Sequence, residues 1–324
     1  MGRHLWVKRD DRYGSPGGGK VRKLEFALAA LLQQERRCLI TFGPLGSNHV
    51  AATAVHAAGL GIETLGVLVP QPLQFYVRGN LETSCHFARV IFTRWTPGAA
   101  FIAMRHWLRR RMSTGEGPAL LAPGGSSIVG ILGYVEAGLE IAQDVSAGRL
   151  PEPDYAFIPA GTCGALAGLA VGLRIAGLKT RAVGVRVASR LTCTATTTAW
   201  LANRVLGLLR SRGAQLEIGR VRGHDLTMLH SFCGRGYGHA TEAGREALRL
   251  AYDTEGLALD TTYTGKAMAG MLAFMAEPEH RHARALFINT WAAPALIEGP
   301  SAIPEHIERW LARRESKGGS ESPR

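Results

Sequence analysis

Short apolar runs pass into a glycine-bearing turn and then into ten or more residues of helical pattern, again and again along the chain. This recurring strand–turn–helix order is what most narrows the folds open to it. Cys38 to Phe42 reads as a strand entering the turn of TFGPLGSN, and HVAATAVHAAGLG as an alanine-rich helix stopped by Gly59 and Gly61. ETLGVLVP is the next strand, ended by Pro70, and ARVIFTRW another, ahead of the helix AAFIAMRHWLRRRM. A fresh unit begins near residue 150 with the strand PDYAFIPAG, the helix ALAGLAVGLRIAG and the strand TRAVGVRV. Strands alternating with helices of this length imply βαβ units and parallel sheets covered on both faces. Two such groups, around 37–142 and 150–300, point to two α/β lobes with a cleft between them. The polar tail after Leu311, ARRESKGGSESPR, reads as disordered.

Composition removes several classes of function. No window reaches the roughly 18 apolar residues of a membrane span, and MGRHLWVKRDD lacks the apolar centre of a signal peptide. The five cysteines form no C-x-x-C pair, so neither a zinc site nor a disulfide framework is expected, and a cytoplasmic setting fits. The histidines are dispersed, which leaves no metal site in view. The net charge of +12 comes from scattered arginines, with one run at Arg109–Arg111 and a pair at Arg313–Arg314. A nucleic-acid footprint needs basic residues gathered on one surface, so nucleic acid is not an expected partner.

Four segments set glycines beside reactive side chains. In SPGGGKVRKLEF three glycines precede Lys20 at the start of a helix, with Lys23 one turn later on nearly the same face. Lysine is scarce in this chain, and one placed behind glycines can serve as a Schiff-base amine. The NTPase phosphate loop is excluded because Val21 follows the lysine. In TFGPLGSNHVAATA, Ser47, Asn48 and His49 fall where a helix begins, either as a cap or as ligands for an anionic or hydroxylated group. FIPAGTCGALAGL is a strand, turn and helix whose amides from Gly161 to Ala165, across Thr162, Cys163 and Gly164, can cradle a phosphate. It does not match G-x-G-x-x-G, which favours a phosphate-bearing cofactor over a dinucleotide. In the last segment, Tyr263 precedes Gly265 and Lys266, and Tyr237 lies upstream among glycines, a setting suited to acid–base work or ring stacking.

Together these segments resemble the 1-aminocyclopropane-1-carboxylate deaminase and D-cysteine desulfhydrase family of pyridoxal-phosphate enzymes. The likeness runs from LWVKRDD to about Pro294 through KRDDRYGSPGGGKVRKLE, Ser47-Asn48-His49 and APGGSSIVGILGYVEAGLEIA. It implies fold type II, two lobes of mostly parallel sheet flanked by helices. Residues 1–36 and 143–311 would form the large domain, 37–142 the small one, and 312–324 a disordered tail. It also implies pyridoxal 5'-phosphate as cofactor, a small amino acid as substrate, and a homodimer. By the resemblance Lys20 is the Schiff-base lysine and Lys23 approaches the phosphate. Asn48 meets the pyridoxal hydroxyl, Ser47 the substrate carboxylate or a transferred proton, and His49 the substrate. Tyr237 and Tyr263 shape the substrate face, with Tyr263 relaying a proton; Thr264 faces the pyridine nitrogen and Thr290 joins the cofactor set. YTGK, GGSS and SNH lean toward the desulfhydrase branch, and so toward β-elimination to a keto acid and ammonia. Three positions depart from the family pattern: Gly19 stands for asparagine, Ala165 lacks an expected hydroxyl, and Trp291 replaces a glycine beside the substrate. Such changes point to a reshaped pocket. The alternatives are cyclopropane-carboxylate deamination and a catalytically altered homologue that binds cofactor or amino acid.

Overall fold

A computed structural model describes residues 5–14 and 16–316. The chain forms two compact units, one from the residues up to Tyr13 with Ser126–Trp291, the other from Gly14–Gly125 with the residues from Ala292 onward.

The first unit is built on a five-stranded sheet in the order β1-β9-β6-β7-β8. Its strands are β1 (Leu5–Lys8), β6 (Tyr155–Ala160), β7 (Arg181–Arg186), β8 (Thr227–Leu229) and β9 (Ala285–Ile288), all paired in parallel. Helices α5 (Leu132–Ser146), α6 (Gly164–Ile175), α7 (Ala195–Ser211), α8 (Glu242–Glu255) and α9 (Thr264–Ala276) cover it. The two-residue period of a strand explains the division of the core. Ala156 and Ile158 join Leu286 and Ile288 beneath Leu166, Leu169 and Val205. Phe157 and Phe287, between them in sequence, join Val183 and Val185 against Met268 and Met271. Where α5 and α6 cross, Gly138 and Gly172 meet backbone to backbone, and a Cβ at Gly172 would collide with the Val135 carbonyl.

The second unit carries a four-stranded parallel sheet in the order β4-β3-β2-β5: β2 (Cys38–Pro44), β3 (Glu63–Val69), β4 (Arg89–Phe92) and β5 (Ala119–Leu121). Its helices are α1 (Gly19–Gln33), α2 (Asn48–Gly59), α3 (Val77–Phe87), α4 (Thr96–Thr114) and α10 (Glu305–Glu315). Leu39 packs with Leu24, Leu28 and Ala52 of α1 and α2, while Ile40, Leu65 and Val67 pack with Ala99 and Ala103 of α4. Each buried large aliphatic contributes roughly 1.5–3 kcal/mol. Exposed pairs such as Arg110–Glu63 and Arg78–Glu308 add at most about 1 kcal/mol each. Packing therefore holds both units, and the excess of arginine does little for stability. No helix among the described residues is long and apolar enough to cross a membrane.

Both sheets are parallel, as the strand–turn–helix order predicts, but the unit boundaries fall elsewhere than 36/37 and 142/143. Helix α1 sits in the second unit because Leu24, Ala27 and Leu28 bury against Leu39 of its sheet and Ile62 just ahead of β3. Helix α5 sits in the first because it packs along α6. The chain returns to the second unit after Trp291, where Trp310 of α10 stacks edge-on against Phe92 at 5.1 Å. Residues 312–315 of the expected disordered tail continue α10, and 317–324 lie outside the described residues.

Candidate active site

In the second unit, the loop ahead of α1 passes through Gly17 at φ 129° and Gly18 at φ 54°, conformations open to glycine and strained for other residues. A Cβ at Gly17 would also lie 2.7 Å from the Ala52 Cβ. This tight entry sets Lys20, half-buried, in the first turn of α1. Lys23 follows one turn later, buried, with its Nζ donating to the Gly124 carbonyl at 3.2 Å. Gly19, which stands for the family's asparagine, is buried as the first residue of α1.

The turn after β2 delivers Ser47 and Asn48 to the start of α2. Ser47 is the N-cap: its Oγ accepts the Val50 N–H at 3.2 Å, which leaves its own hydrogen for another acceptor. The Asn48 amide is oriented by Asn80 of α3, whose Nδ2 donates to Asn48 Oδ1 at 2.6 Å and to the Gly46 carbonyl at 3.0 Å. With its carbonyl engaged, Asn48 presents its NH₂ as a donor. His49, expected to meet substrate, has hydroxyl neighbours inside this unit. It is buried, its Nε2 lies 2.9 Å from Thr41 Oγ1, and its Nδ1 is 3.5 Å from Thr53 Oγ1. Residue 49 falls on the inward face of α2, so its ring serves the core.

Burial, reinforced by the charges of Lys20 and Lys23, holds the His49 imidazole well below its usual pKa. The folded state thus favours the neutral ring, and the unfolded chain takes up the proton first. His49 stabilises the fold fully above about pH 6.5, and as pH falls below that it costs about 1.4 kcal/mol per unit until the folded-state pKa is reached. His49→Gln is expected to flatten the fall in Tm between pH 7 and 5; an unchanged acid limb would remove His49 as its cause.

The first unit supplies the phosphate-type loop. Residues 161–163 leave β6, and Cys163 takes a left-handed conformation (φ 63°) as the N-cap of α6. Its thiol turns into the core, 3.7 Å from Cys193 Sγ, so at the loop surface Cys163 offers only its backbone. The first amides of α6, from Gly164 and Ala165 onward, precede any intrahelical partner. Thr162 is exposed and its Oγ1 lies 2.6 Å from Ser126 Oγ. Ser126 presses so closely on Gly164 that a Cβ there would collide with its hydroxyl. A second hydroxyl therefore stands at the loop although Ala165 has none. Ser126 was legible only as part of GGSS.

Both tyrosines come to this loop. A Cβ at Gly161 would lie 3.6 Å from the Tyr263 ring, and Tyr263 Oη is 2.7 Å from Tyr237 Oη, with the rings edge-on at 5.7 Å. Burial pushes the Tyr237 hydroxyl up to about 12, against the lowering effect of the bond to Tyr263, so it stays protonated at neutral pH. Asp260, fully buried, holds Tyr263 in place. Its Oδ2 accepts the N–H groups of Thr262 and Tyr263 at 2.9 Å, and its Oδ1 accepts the Thr264 N–H and hydroxyl at 2.8 and 2.7 Å. Burial raises its carboxyl pKa, while these donors pull it back.

This arrangement bears on the role expected of Thr264. Its hydroxyl hydrogen goes to Asp260, and its oxygen accepts the Asp260 N–H at 2.8 Å, so it has no hydrogen to offer a ring nitrogen. Thr290, half-buried, leaves the C-terminal end of β9 beside β6, where ligands of parallel sheets collect. Trp291 next to it is buried. A separate cavity of about 740 Å³, lined by Cys38, Glu63, His106, Arg109 and Arg110 among others, contains none of these residues.

The donor set suits a phosphorylated pyridoxal. Within the first unit the loop offers helix-start amides with two hydroxyls and a glycine against a tyrosine ring; within the second, taken by itself, Asn48 offers an amide donor and Lys20 an amine. A family model described as pyridoxal-phosphate dependent enzyme matches residues 1–290. The chain belongs to this family.

Among curated relatives of this pyridoxal-phosphate enzyme is a D-cysteine desulfhydrase of Salmonella choleraesuis, 33% identical over 92% of this chain and 89% of the relative. Another, from Klebsiella pneumoniae, is 32% identical over the same shares. Among solved structures it is similar to one described as an ACC deaminase homologue, with TM-score 0.72, 27% identity, and coverage of 95% of this chain and 88% of that one. A threonine deaminase structure at TM-score 0.60 and 21% identity, covering 92% of this chain and 90% of that one, shares the fold.

Proposed function

We propose that the enzyme is a carbon–sulfur lyase of D-cysteine desulfhydrase type, which removes the α-proton of a small amino acid and expels its β-substituent, leaving a keto acid and ammonia. The observation that carries this reading is the pair of tyrosine hydroxyls 2.7 Å apart beside Gly161, in a chain one-third identical to D-cysteine desulfhydrases. The cofactor, when bound, supplies an electron sink for the carbanion.

The chain's own residues divide the remaining work. Lys20 binds the cofactor covalently and, once substrate has displaced it, takes the α-proton on Nζ. The amides of Gly161–Ala165, with Thr162 and Ser126, hold the phosphate, and Lys23 adds positive charge toward it. Asn48 donates from Nδ2 to the pyridoxal oxygen. The ring-nitrogen contact passes from Thr264 to Thr290. Ser47 offers its free hydroxyl hydrogen to the substrate carboxylate, and Trp291 narrows the substrate side. Tyr263, paired with protonated Tyr237, gives or relays a proton to the departing group.

The direct test is D-cysteine supplied to the cofactor-loaded enzyme under anaerobic conditions. Equal amounts of sulfide, pyruvate and ammonia are expected, and their absence would overturn the substrate assignment. The likeness to the ACC deaminase homologue favours a second reading, in which 1-aminocyclopropane-1-carboxylate yields 2-oxobutanoate instead. A homodimer acting in the cytoplasm completes the proposal, and light scattering at twice the chain mass checks the assembly.

Asn80 supplies a further check on the cofactor pocket. Asn80→Ala leaves the Asn48 amide without its orienting donor, so cofactor affinity is expected to fall about tenfold, equivalent to roughly 1.4 kcal/mol. Quenching of protein fluorescence on cofactor addition reads this directly.

A further inference from the structure

The mechanism leaves the buried cation Lys266 without a task. Lys266 has no exposed surface and lies in the first turn of α9, three residues after Tyr263. Its Nζ donates to the Cys233 carbonyl at 2.8 Å and to the Gly236 carbonyl at 3.0 Å. Burying an ammonium is costly unless its partners compensate, and burial here lowers the Lys266 pKa. Apolar residues of similar size often serve stability as well as a buried charge or better. A lysine bonded to two carbonyls of one segment points to a role in placing that segment.

The segment it holds supplies that role. Gly234, Gly236 and Gly238 have φ values of 60°, 123° and 77°, so the backbone on either side of Tyr237 follows no regular ladder. Gly236, whose carbonyl Lys266 captures, is the residue immediately before Tyr237. Asp260 fixes Tyr263 at the head of α9, and Lys266, from the same first turn, fixes the approach of Tyr237. One helix start thereby sets both members of the hydroxyl pair.

We propose that Lys266 is a positioning residue for the tyrosine pair: its ammonium ties the Cys233–Gly236 backbone to α9, so that Tyr237 meets Tyr263, and it governs proton delivery to the substrate rather than cofactor binding. The inference rests on the tyrosine roles proposed above. It leaves the cofactor-binding groups untouched, since Lys20, Asn48 and the Gly161–Ala165 loop make no part of the tie.

Lys266→Met in the cofactor-loaded enzyme separates this role from a purely structural one. Expected are a fall in kcat of about tenfold to a hundredfold, with KM and cofactor Kd each within about twofold of wild type. Lys266→Arg, which keeps the charge and the donors, should recover part of kcat. Hydrogen exchange at 233–238 is the readout independent of activity, and it should quicken in Lys266→Met while α9 stays protected. Unchanged kcat with unchanged exchange would overturn the proposal, as would a loss of cofactor affinity parallel to that of kcat. If Lys266→Met does not fold, Lys266→Gln carries the same comparison. A wild type inactive on every D- and L-amino acid would overturn the proposed function, and the exchange at 233–238 would still decide whether Lys266 holds the loop.

Discussion

Replacing Lys20 by alanine is expected to abolish fixation of the cofactor by borohydride and to lower turnover by about a thousandfold or more, because in the proposed mechanism one amine is both the attachment point and the proton acceptor. Three lysines belong to the candidate segments, and they differ in burial. Lys266 is buried and committed to the Cys233 and Gly236 carbonyls. Lys23 is buried and donates to Gly124. Lys20 is half-buried behind the Gly17–Gly18 turn, in the first turn of its helix. Lys23→Ala should therefore retain fixable cofactor at reduced affinity, and Lys20→Ala should retain none. Mass spectrometry of the borohydride-treated, protease-digested protein locates the adduct. An adduct on any lysine other than Lys20 would sink the assignment and the mechanism with it.

The second large effect is on stability. Asp260→Ala would leave the N–H groups of Thr262, Tyr263 and Thr264 and the Thr264 hydroxyl without their acceptor in a site closed to water. At about 1–3 kcal/mol for each buried unsatisfied donor, partly offset by release of a carboxylate that burial disfavours, the net loss should be roughly 3–5 kcal/mol. Urea unfolding measures it as a lower midpoint. Asp260→Asn should lose less, since its one carbonyl oxygen can still accept while its NH₂ faces other donors. Because Asp260 also fixes the Tyr263 backbone, kcat should fall in both variants even at temperatures where they stay folded. A fully active, equally stable Asp260→Ala would show that the turn before α9 holds by packing alone.

The candidate site was readable from sequence where chemistry depends on neighbours along the chain. Three glycines before Lys20, the helix start at Ser47–Asn48 and the turn at 161–165 each place a reactive group beside its own local scaffold, so residue order alone pointed to them. Parallel sheets followed in the same way, from apolar runs of strand length separated by helices. His49 and Thr264 show what a motif leaves open, since it reports which residues are adjacent, not which way they face. His49 turns to Thr41 and Thr53, and Thr264 spends its hydrogen on Asp260.

Asn80, Ser126 and Lys266 gained their roles only on folding. Asn80 lies 32 positions from Asn48, Ser126 lies 36 from Thr162, and Lys266 lies 30 from Gly236. Nothing local distinguishes such residues from ordinary helix or loop positions. The unit boundaries were settled likewise, when Leu24 and Leu28 of α1 found Leu39, and Trp310 found Phe92. Local backbone preference and hydrophobic period are properties of a short stretch of chain, and the sequence by itself determined the strands, the helices and, through its resemblance to a family, the cofactor class. Hydrogen bonds and apolar contacts between distant segments depend on the packed whole, and only the tertiary structure decided how Asn48, Tyr237 and Tyr263 are held for use.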